Sequence, residues 1–237
     1  MSNILMVVSA ADSLTMKDGS EHPTGFWAEE LVEGHRTLME AGHTVTFATP
    51  GGRRPTVDQV SLDPSQAGGE DRAAELRRYL DTLAPELEHP LALADVDPAG
   101  YVAVVIPGGH GPMTDLAFDP EMGRILVAAN DAGLIIAPYC HGPAALLSAV
   151  TGDGSFAFAG RRLTVFTNEE ELAGGTGENT PWMVADALAE KGAVVDAGPA
   201  WSSFVVRDGN LITGQNPQSS VATAAAVLSA LDGDDEL

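Results

Sequence analysis

The chain has 237 residues, 44% of them hydrophobic, and its formal charge is −22 because 34 acidic residues accompany only 12 basic ones. A chain of this length can bury most of its apolar surface in one domain, so we expect a single domain over residues 1–237 with a frayed acidic tail at 232–237. The negative charge would repel phosphate backbones and excludes nucleic acid as an expected partner, and no apolar run reaches the ~20 residues of a membrane helix.

The single cysteine, Cys140, rules out an intramolecular disulfide. A reducing compartment fits a chain without disulfides, so we expect a cytoplasmic protein. The apolar run at residues 4–8 is short and lacks a basic lead, which favours a buried strand over a signal peptide.

Short apolar runs and helical patterns alternate along the chain. The runs predict buried strands at residues 4–8, 44–48, 102–106, 134–137 and 163–166. Helices are predicted at residues 25–41, 119–132, 142–150, 180–191 and 219–231. Because continuous rather than alternating hydrophobicity is typical of strands covered on both faces, we expect an α/β fold with a doubly wound, flavodoxin-like, mostly parallel sheet between helices.

Two segments depart from this alternation. Residues 50–70 are rich in turn-forming residues and are expected to form an excursion near the functional site. Residues 202–207 and 211–213 flank Asp208-Gly209-Asn210, a turn sequence that predicts a small late β-hairpin.

The sequence around Cys140 predicts a nucleophile elbow. A buried strand at 134–137 ends, Cys140 and His141 follow, and Gly142 opens a helical pattern at once. A side chain at such a turn stands at the carboxyl edge of the sheet, where backbone N–H groups and a helix dipole would favour thiolate over thiol. The alternative is a small buried hydrophobe, the usual state of a free cysteine.

His141 is the candidate acid/base group beside the cysteine, and an imidazole bonded to backbone is the alternative. A second loop, Gly108-Gly109-His110-Gly111, follows another buried strand and suits an oxyanion hole. A phosphate loop is the rival interpretation, but it would need a lysine and a Ser/Thr that are missing here. His110 could contact substrate or serve as a structural imidazole.

Carboxylates supply the remaining candidates. Glu30 lies in the first turn of the first predicted helix, where partial burial could raise its pKa, although the helix dipole alone also explains an acid there. Glu170 or Glu171 could orient His141 as the third member of a triad, and a solvated turn is the alternative. The six scattered histidines show no metal-ligand spacing, so no metal is expected.

Seven motifs in this order resemble the ThiJ/PfpI superfamily, relatives of the class I glutamine amidotransferases, and its stress-chaperone and glyoxalase III branch in particular. They are Thr24-Gly-Phe-Trp-Ala-Glu-Glu-Leu31, Ala41-Gly-His-Thr-Val45, Ala48-Thr-Pro-Gly-Gly52, Pro107-Gly-Gly-His-Gly111, Cys140-His-Gly142, Phe166-Thr-Asn-Glu-Glu170 and Leu211-Ile-Thr-Gly-Gln-Asn-Pro217. The sequence departs from the family at Gly34, where proline is common, and at Ala185, where an acid is common. These departures concern the outer wall of the pocket.

The resemblance implies roles for the candidate residues. Cys140 would be the nucleophile, Glu30 the carboxylate beside it, and Glu170 or Glu171 the third triad member. Backbone at Gly109 and His141 would form the oxyanion site.

The activity implied is a glutathione-independent glyoxalase, a lyase that needs no cofactor and turns methylglyoxal or a related aldehyde into a 2-hydroxy acid. One alternative is an amidase, peptidase or deglycase that would use the same cysteine. The other is a stress protein without turnover, either a holdase chaperone or a redox sensor in which Cys140 is oxidised. A small aldehyde is thus the expected partner, and a homodimer is compatible with the resemblance.

Overall fold

The computed structural model of the chain describes residues 2–174 and 176–233. The expected tail at 232–237 therefore lies mostly outside the described residues. The strands are β1 (Asn3–Val7), β2 (Ser13–Thr15), β3 (Glu21–Pro23), β4 (Thr44–Thr49), β5 (Leu91–Ala92), β6 (Ala103–Ile106), β7 (Ile135–Pro138), β8 (Arg162–Leu163), β9 (Val194–Val195), β10 (Val205–Asp208) and β11 (Leu211–Gly214).

The α-helices are α1 (Ala28–Glu40), α2 (Pro64–Ala67), α3 (Glu70–Thr82), α4 (Ala84–Glu88), α5 (Pro120–Asp131), α6 (Asn168–Gly174), α7 (Val184–Glu190) and α8 (Ser220–Leu231). Short 3₁₀ helices lie at Pro50–Gly52, Gln59–Leu62, Leu93–Asp95, Pro98–Gly100, Gly111–Met113, Gly142–Ser148, Gly177–Asn179 and Pro217–Ser219. No helix in the described part of the chain is long and apolar enough to span a bilayer.

The predicted α/β fold is confirmed by a seven-stranded sheet of order β10-β11-β7-β6-β1-β4-β5. Every neighbouring pair is parallel except β10 and β11, which form the predicted late hairpin. Strand β4 pairs with one edge of β1, and β6, which comes later in the chain, pairs with the other edge. Ligands of open α/β sheets bind at the carboxyl edge beside such a reversal of strand order.

Helices cover both faces of the sheet, which explains why its central strands β6 and β7 are apolar throughout. On one face, Leu5 of β1 belongs to a core cluster with Ile125 and Leu126 of α5. On the other, Met6 belongs to a cluster with Leu31 of α1 and Val227 of α8. Because successive strand side chains point to opposite faces, a strand between two helical layers must be hydrophobic at every position.

The structure differs from the predicted elements in several places, of which three are informative. Of the predicted strand at 163–166 only Leu163 is a strand residue, in β8, which pairs with β9 in a separate two-stranded sheet. The predicted helix at 142–150 is a 3₁₀ helix over Gly142–Ser148. The polar helix α3 was not predicted, because it buries only Ala73 and Leu76 against neighbouring segments and shows too narrow an apolar stripe.

Candidate active site

The turn after β7 holds Cys140 in a left-handed backbone conformation with φ of +57°. The Cys140 N–H donates to the carbonyl of Gly214 at 2.9 Å, and its own carbonyl accepts from the Phe166 N–H at 3.0 Å. A Cβ on Gly142 would lie 2.2 Å from the carbonyl oxygen of Ile106, so only glycine allows the chain to turn this closely against β6. These contacts hold the thiol in the predicted elbow geometry at the carboxyl edge of the sheet.

The glycine loop after β6 packs directly on this elbow. A Cβ on Gly108 would lie 2.6 Å from the backbone nitrogen of His141, and Gly109 adopts φ of +84°. Hydrogen bonding from the backbone N–H groups of Gly109 and His141 lowers the pKa of the Cys140 thiol, against the larger effect of its burial. These are the two groups that the resemblance implied for an oxyanion site.

Glu30 is fully buried beside the same sulfur. One of its carboxyl oxygens accepts the Gly108 N–H at 2.6 Å, and the other has no partner of hydrogen-bond geometry among the described residues. Burial raises the pKa of Glu30 to about 8, against the opposing effects of the neighbouring Cys140 side chain and the Gly108 N–H. At neutral pH this carboxyl group is therefore mostly protonated, and it can donate a proton.

The expectation of a thiolate at the elbow is not met in the resting site. Burial, followed by the charge and hydrogen bond of Glu30, raises the pKa of Cys140 well above its ordinary value. The N–H groups of Gly109 and His141 oppose this shift only in part. The elbow leads into a short 3₁₀ helix with little aligned dipole, so Cys140 rests as a thiol whose proton a neighbouring base could take.

His141 is placed to be that base. Its Nδ1 lies 3.3 Å from the Cys140 sulfur and its Nε2 lies 2.6 Å from Glu171 Oε2. Because a carboxylate only accepts, Nε2 carries the hydrogen and Nδ1 presents a lone pair to the thiol. Burial and the nearby His110 lower the pKa of His141, so the ring is neutral at pH 7 and free to accept a proton.

Glu171, rather than Glu170, contacts His141. Burial alone would raise the pKa of Glu171, but His141 and His110 hold it far below its ordinary range. Its side chain also accepts from the backbone and hydroxyl of Thr176. Glu171 is thus an ionised carboxylate that can stabilise a protonated His141.

Glu170 points into a different network. Its carboxylate accepts from the Thr167 N–H at 3.0 Å, the Trp201 N–H at 2.8 Å and the Asn216 side chain at 2.7 Å. These hydrogen bonds lower its pKa against the effect of burial. Adjacent acids in α6 diverge because successive side chains of a helix are about 100° apart around its axis.

His110 joins the site through Glu171. Its Nε2 lies 3.0 Å from Glu171 Oε1, and its ring centroid is 4.2 Å from that of His141. His110, His141 and Glu171 each place one ligating atom within 4.8 Å of the others, so these three residues could hold a metal ion. No motif spacing links these three residues, because they come from separate segments of the chain.

A cavity of about 350 Å³ opens over Cys140. Its wall includes the candidate residues Gly109, His110, Cys140 and His141. It also includes aromatic and polar residues that the sequence did not single out, namely Trp27, Glu29, Gln66, Phe166 and Trp201. Gln66 belongs to the turn-rich excursion, which therefore reaches the site as expected.

Comparison with known proteins places this site in a family. A profile of the DJ-1/PfpI family matches residues 23–230. Glyoxalase 3 of Candida albicans (strain SC5314 / ATCC MYA-2876) is 28% identical over 245 residues, covering 98% of this chain and 99% of that protein. Protein/nucleic acid deglycase HchA of Pseudomonas aeruginosa (strain UCBPP-PA14) is 30% identical, covering 92% of this chain and 76% of that protein.

A solved structure shows the same likeness in three dimensions. The X-ray structure of Rapid Encystment Protein 24 kDa from Francisella tularensis superposes with a TM-score of 0.86 at 27% identity, covering 98% of this chain and 99% of that one. The family profile spans most of the sequence, and the relatives align along nearly all of it. This chain belongs to the DJ-1/PfpI family.

Proposed function

We propose that this chain is a cysteine-dependent glyoxalase that converts a 2-oxoaldehyde such as methylglyoxal into a 2-hydroxy acid without glutathione. One observation carries the proposal: the buried Cys140 thiol lies between a protonated carboxyl group, Glu30, and a neutral imidazole that contacts Glu171. The name of the Candida albicans relative, Glyoxalase 3, supports the same reaction.

Addition of the thiol to the aldehyde is the first step. His141 Nδ1 takes the thiol proton as sulfur bonds to the aldehyde carbon, and Glu171 stabilises the imidazolium that results. Glu30 gives its proton to the aldehyde oxygen, while the N–H groups of Gly109 and His141 stabilise the charge that develops there. The product is a hemithioacetal on Cys140, with Glu30 now ionised.

Proton transfer between the two carbons is the second step. The ionised Glu30 removes the hydrogen from the former aldehyde carbon as a proton, the hydroxyl proton on that carbon moves to the neighbouring oxygen through the enediol, and Glu30 then returns its proton to the neighbouring carbon. The result is a thioester of the 2-hydroxy acid. A pKa of about 8 suits Glu30 to both giving and taking a proton near neutral pH.

Hydrolysis of the thioester closes the cycle. Water attacks the thioester carbonyl and releases the hydroxy acid, and the protonated His141 returns a proton to the leaving sulfur. The remaining water proton restores Glu30. The sum is one 2-oxoaldehyde plus one water giving one 2-hydroxy acid, with the thiol, carboxyl and imidazole regenerated, and no step draws on a cofactor.

A deglycase is the second candidate, and the 30% identity to a protein named HchA deglycase favours it specifically. The same thiol and the same proton-transfer groups would act on an aldehyde adduct instead of the free aldehyde. The two reactions differ in substrate, so the lactate formed from free methylglyoxal distinguishes them.

The test follows methylglyoxal loss and D-lactate formation without glutathione in the parent and in Cys140→Ala, Glu30→Gln and Glu171→Gln. We expect no turnover in the cysteine variant and a kcat/KM lowered by about 10²–10⁴ in each acid variant, the usual contribution of acid–base groups. The exposed Glu169, changed to Gln, is the matched control and should keep parental activity. A parent that consumes no free methylglyoxal would reject the glyoxalase, and a Glu30→Gln variant with parental kcat would reject its proton-transfer role.

A further inference from the structure

We propose that the outer part of the cavity is a subsite for a flat aromatic substituent on the aldehyde, that Trp201 is its specificity-determining wall, and that Glu170 is the residue that positions Trp201. The inference deepens the proposed function, and rests on it for the reaction at Cys140. It makes aryl 2-oxoaldehydes, with phenylglyoxal as the test compound, better substrates than methylglyoxal.

The cavity is larger than the proposed small substrate needs. Its volume of about 350 Å³ falls in the range of pockets that enclose drug-sized ligands, roughly 300–1,000 Å³. The three-carbon methylglyoxal would leave most of this space to water. A substrate with a ring attached to its dicarbonyl group would fill both the region at the thiol and the region beyond it.

Aromatic rings line the path from the thiol outward. The rings of His141 and Phe166 are 4.6 Å apart, and the rings of Phe166 and Trp201 are 5.6 Å apart at 73°. The second of these pairs is edge-to-face, an arrangement that leaves apolar ring faces on which another ring can stack. No lysine or arginine lies among the described lining residues, so the subsite suits an uncharged substituent better than a phosphorylated one.

The backbone at Trp201 is unusual for so large a residue. Its φ is +60°, and it shares a positive φ only with Cys140 among the described non-glycine residues. The Ser202 N–H donates to the Pro199 carbonyl at 3.2 Å, so Trp201 occupies a turn position that normally favours glycine. Strained positions of this kind cluster at ligand sites. Yet Trp201 lines the cavity and is 43% exposed, so burial in the core does not explain a tryptophan there.

Glu170 holds this turn in place. Its Oε1 accepts both the Trp201 N–H and the Asn216 amide, while its Oε2 accepts the Thr167 N–H and hydroxyl. Both oxygens therefore act only as acceptors, and an amide at this position would turn a donor toward another donor. Gly174 fits the indole closely, since a Cβ there would lie 2.6 Å from the ring. Glu170 thus holds the backbone of Trp201, and Gly174 leaves room for its ring.

The test compares kcat/KM for phenylglyoxal and for methylglyoxal in the parent, Trp201→Ala, Trp201→Phe, Glu170→Gln and Trp182→Ala. The parent should prefer phenylglyoxal, and Trp201→Ala should lower the phenylglyoxal-to-methylglyoxal ratio by about tenfold or more, as expected for loss of an apolar pocket contact. Trp201→Phe should recover part of the ratio because it restores a ring. Trp182, which packs on Phe118 away from the cavity, is the matched control and should leave the ratio unchanged.

Glu170→Gln separates positioning from chemistry. It should raise KM for phenylglyoxal severalfold while kcat for methylglyoxal stays near the parental value, because Glu170 touches no reacting atom. A loss of kcat for both substrates would overturn the positioning role. A ratio unchanged in Trp201→Ala would overturn the subsite.

Equilibrium binding decides the subsite independently of turnover. Mandelate and lactate, the hydroxy acids from the two substrates, are titrated calorimetrically into Cys140→Ala with and without Trp201→Ala. We expect mandelate to bind at least about tenfold more tightly than lactate and this preference to be lost in the double variant. That result would support the subsite even if the parent were inactive on both aldehydes, because such inactivity would contradict only the glyoxalase proposal. Equal affinities would overturn the subsite even if the enzyme is active.

Discussion

At the scale of single residues, Glu30 combines a proposed catalytic role with a cost to stability. A carboxyl group in water has a pKa near 4.5, whereas burial raises the pKa of Glu30 to about 8 in the folded chain. Between these values the unfolded chain releases a proton that the folded chain keeps. Stability from the protonated form is therefore complete below about pH 4.5 and is lost as pH rises toward 8.

This difference predicts how Glu30→Gln changes the free energy of unfolding. The free energy of unfolding of the variant, relative to that of the parent, should rise by about 1 kcal/mol per pH unit between roughly pH 5 and 7.5. The reason is that glutamine keeps the acceptor for the Gly108 N–H but cannot ionise. Urea denaturation at several pH values measures the gain. Glu169→Gln, an exposed control, should show a far smaller trend, and a flat difference for Glu30→Gln would mean that Glu30 is ionised in the folded chain.

At the scale of elements, the elbow depends on how closely β7 and the following 3₁₀ helix approach the end of β6. A Cβ on Gly142 would meet the Ile106 carbonyl at 2.2 Å, and both groups are backbone, so neither can turn aside. The approach also brings the backbone nitrogen of His141 against the glycine loop, since a Cβ on Gly108 would lie 2.6 Å from it. Any separation of the two segments should therefore affect stability and chemistry together.

Gly142→Ala tests this coupling. We expect it to lower the free energy of unfolding by about 1–3 kcal/mol, the usual cost of forcing an atom into a packed site, and to lower aldehyde turnover. Gly152→Ala is the matched control, because no atom lies within 4 Å of a Cβ at that position. Urea denaturation and aldehyde turnover are measured on both variants. If Gly142→Ala has the same free energy of unfolding and the same turnover as Gly152→Ala, the coupling is contradicted.

At the scale of the whole molecule, the net charge of −22 is a source of self-repulsion. Local ion pairs offset it in places, as where Arg72 pairs with Glu33 and Glu75 beside α1. The few basic residues cannot neutralise the remainder. Repulsion between surface charges favours the expanded chain, and salt screens it.

We therefore expect the melting temperature to rise by several degrees between about 0.05 and 1 M NaCl, where the Debye length falls from more than 10 Å to about 3 Å. Thermal unfolding followed by circular dichroism provides the measurement. Sorbitol at equal osmolality is the uncharged control and separates screening from solvent exclusion. A melting temperature that falls with NaCl would show that attractive ion pairs outweigh the repulsion.

Much of the architecture was predictable from local pattern. The apolar runs that became β1, β4, β6 and β7 could only be strands covered on both faces, and the turn at Asp208-Gly209-Asn210 marked the late hairpin. Polar helices such as α3 were missed because their few buried residues leave no clear periodicity. The predicted strand at 163–166 failed because its apolar residues pack in the core without joining the main sheet.

Sequence alone also determined which residues carry candidate chemistry, because the elbow at Cys140 and the loop at Gly108 and Gly109 each consist of consecutive residues that form a recognisable motif. Only the tertiary structure decided that Glu171 and not Glu170 contacts His141, and that Glu170 instead holds the Trp201 turn. It also decided that Cys140 rests as a thiol beside a protonated Glu30. Burial, side-chain direction and the meeting of distant loops set these properties, and none of them is a property of a short stretch of sequence.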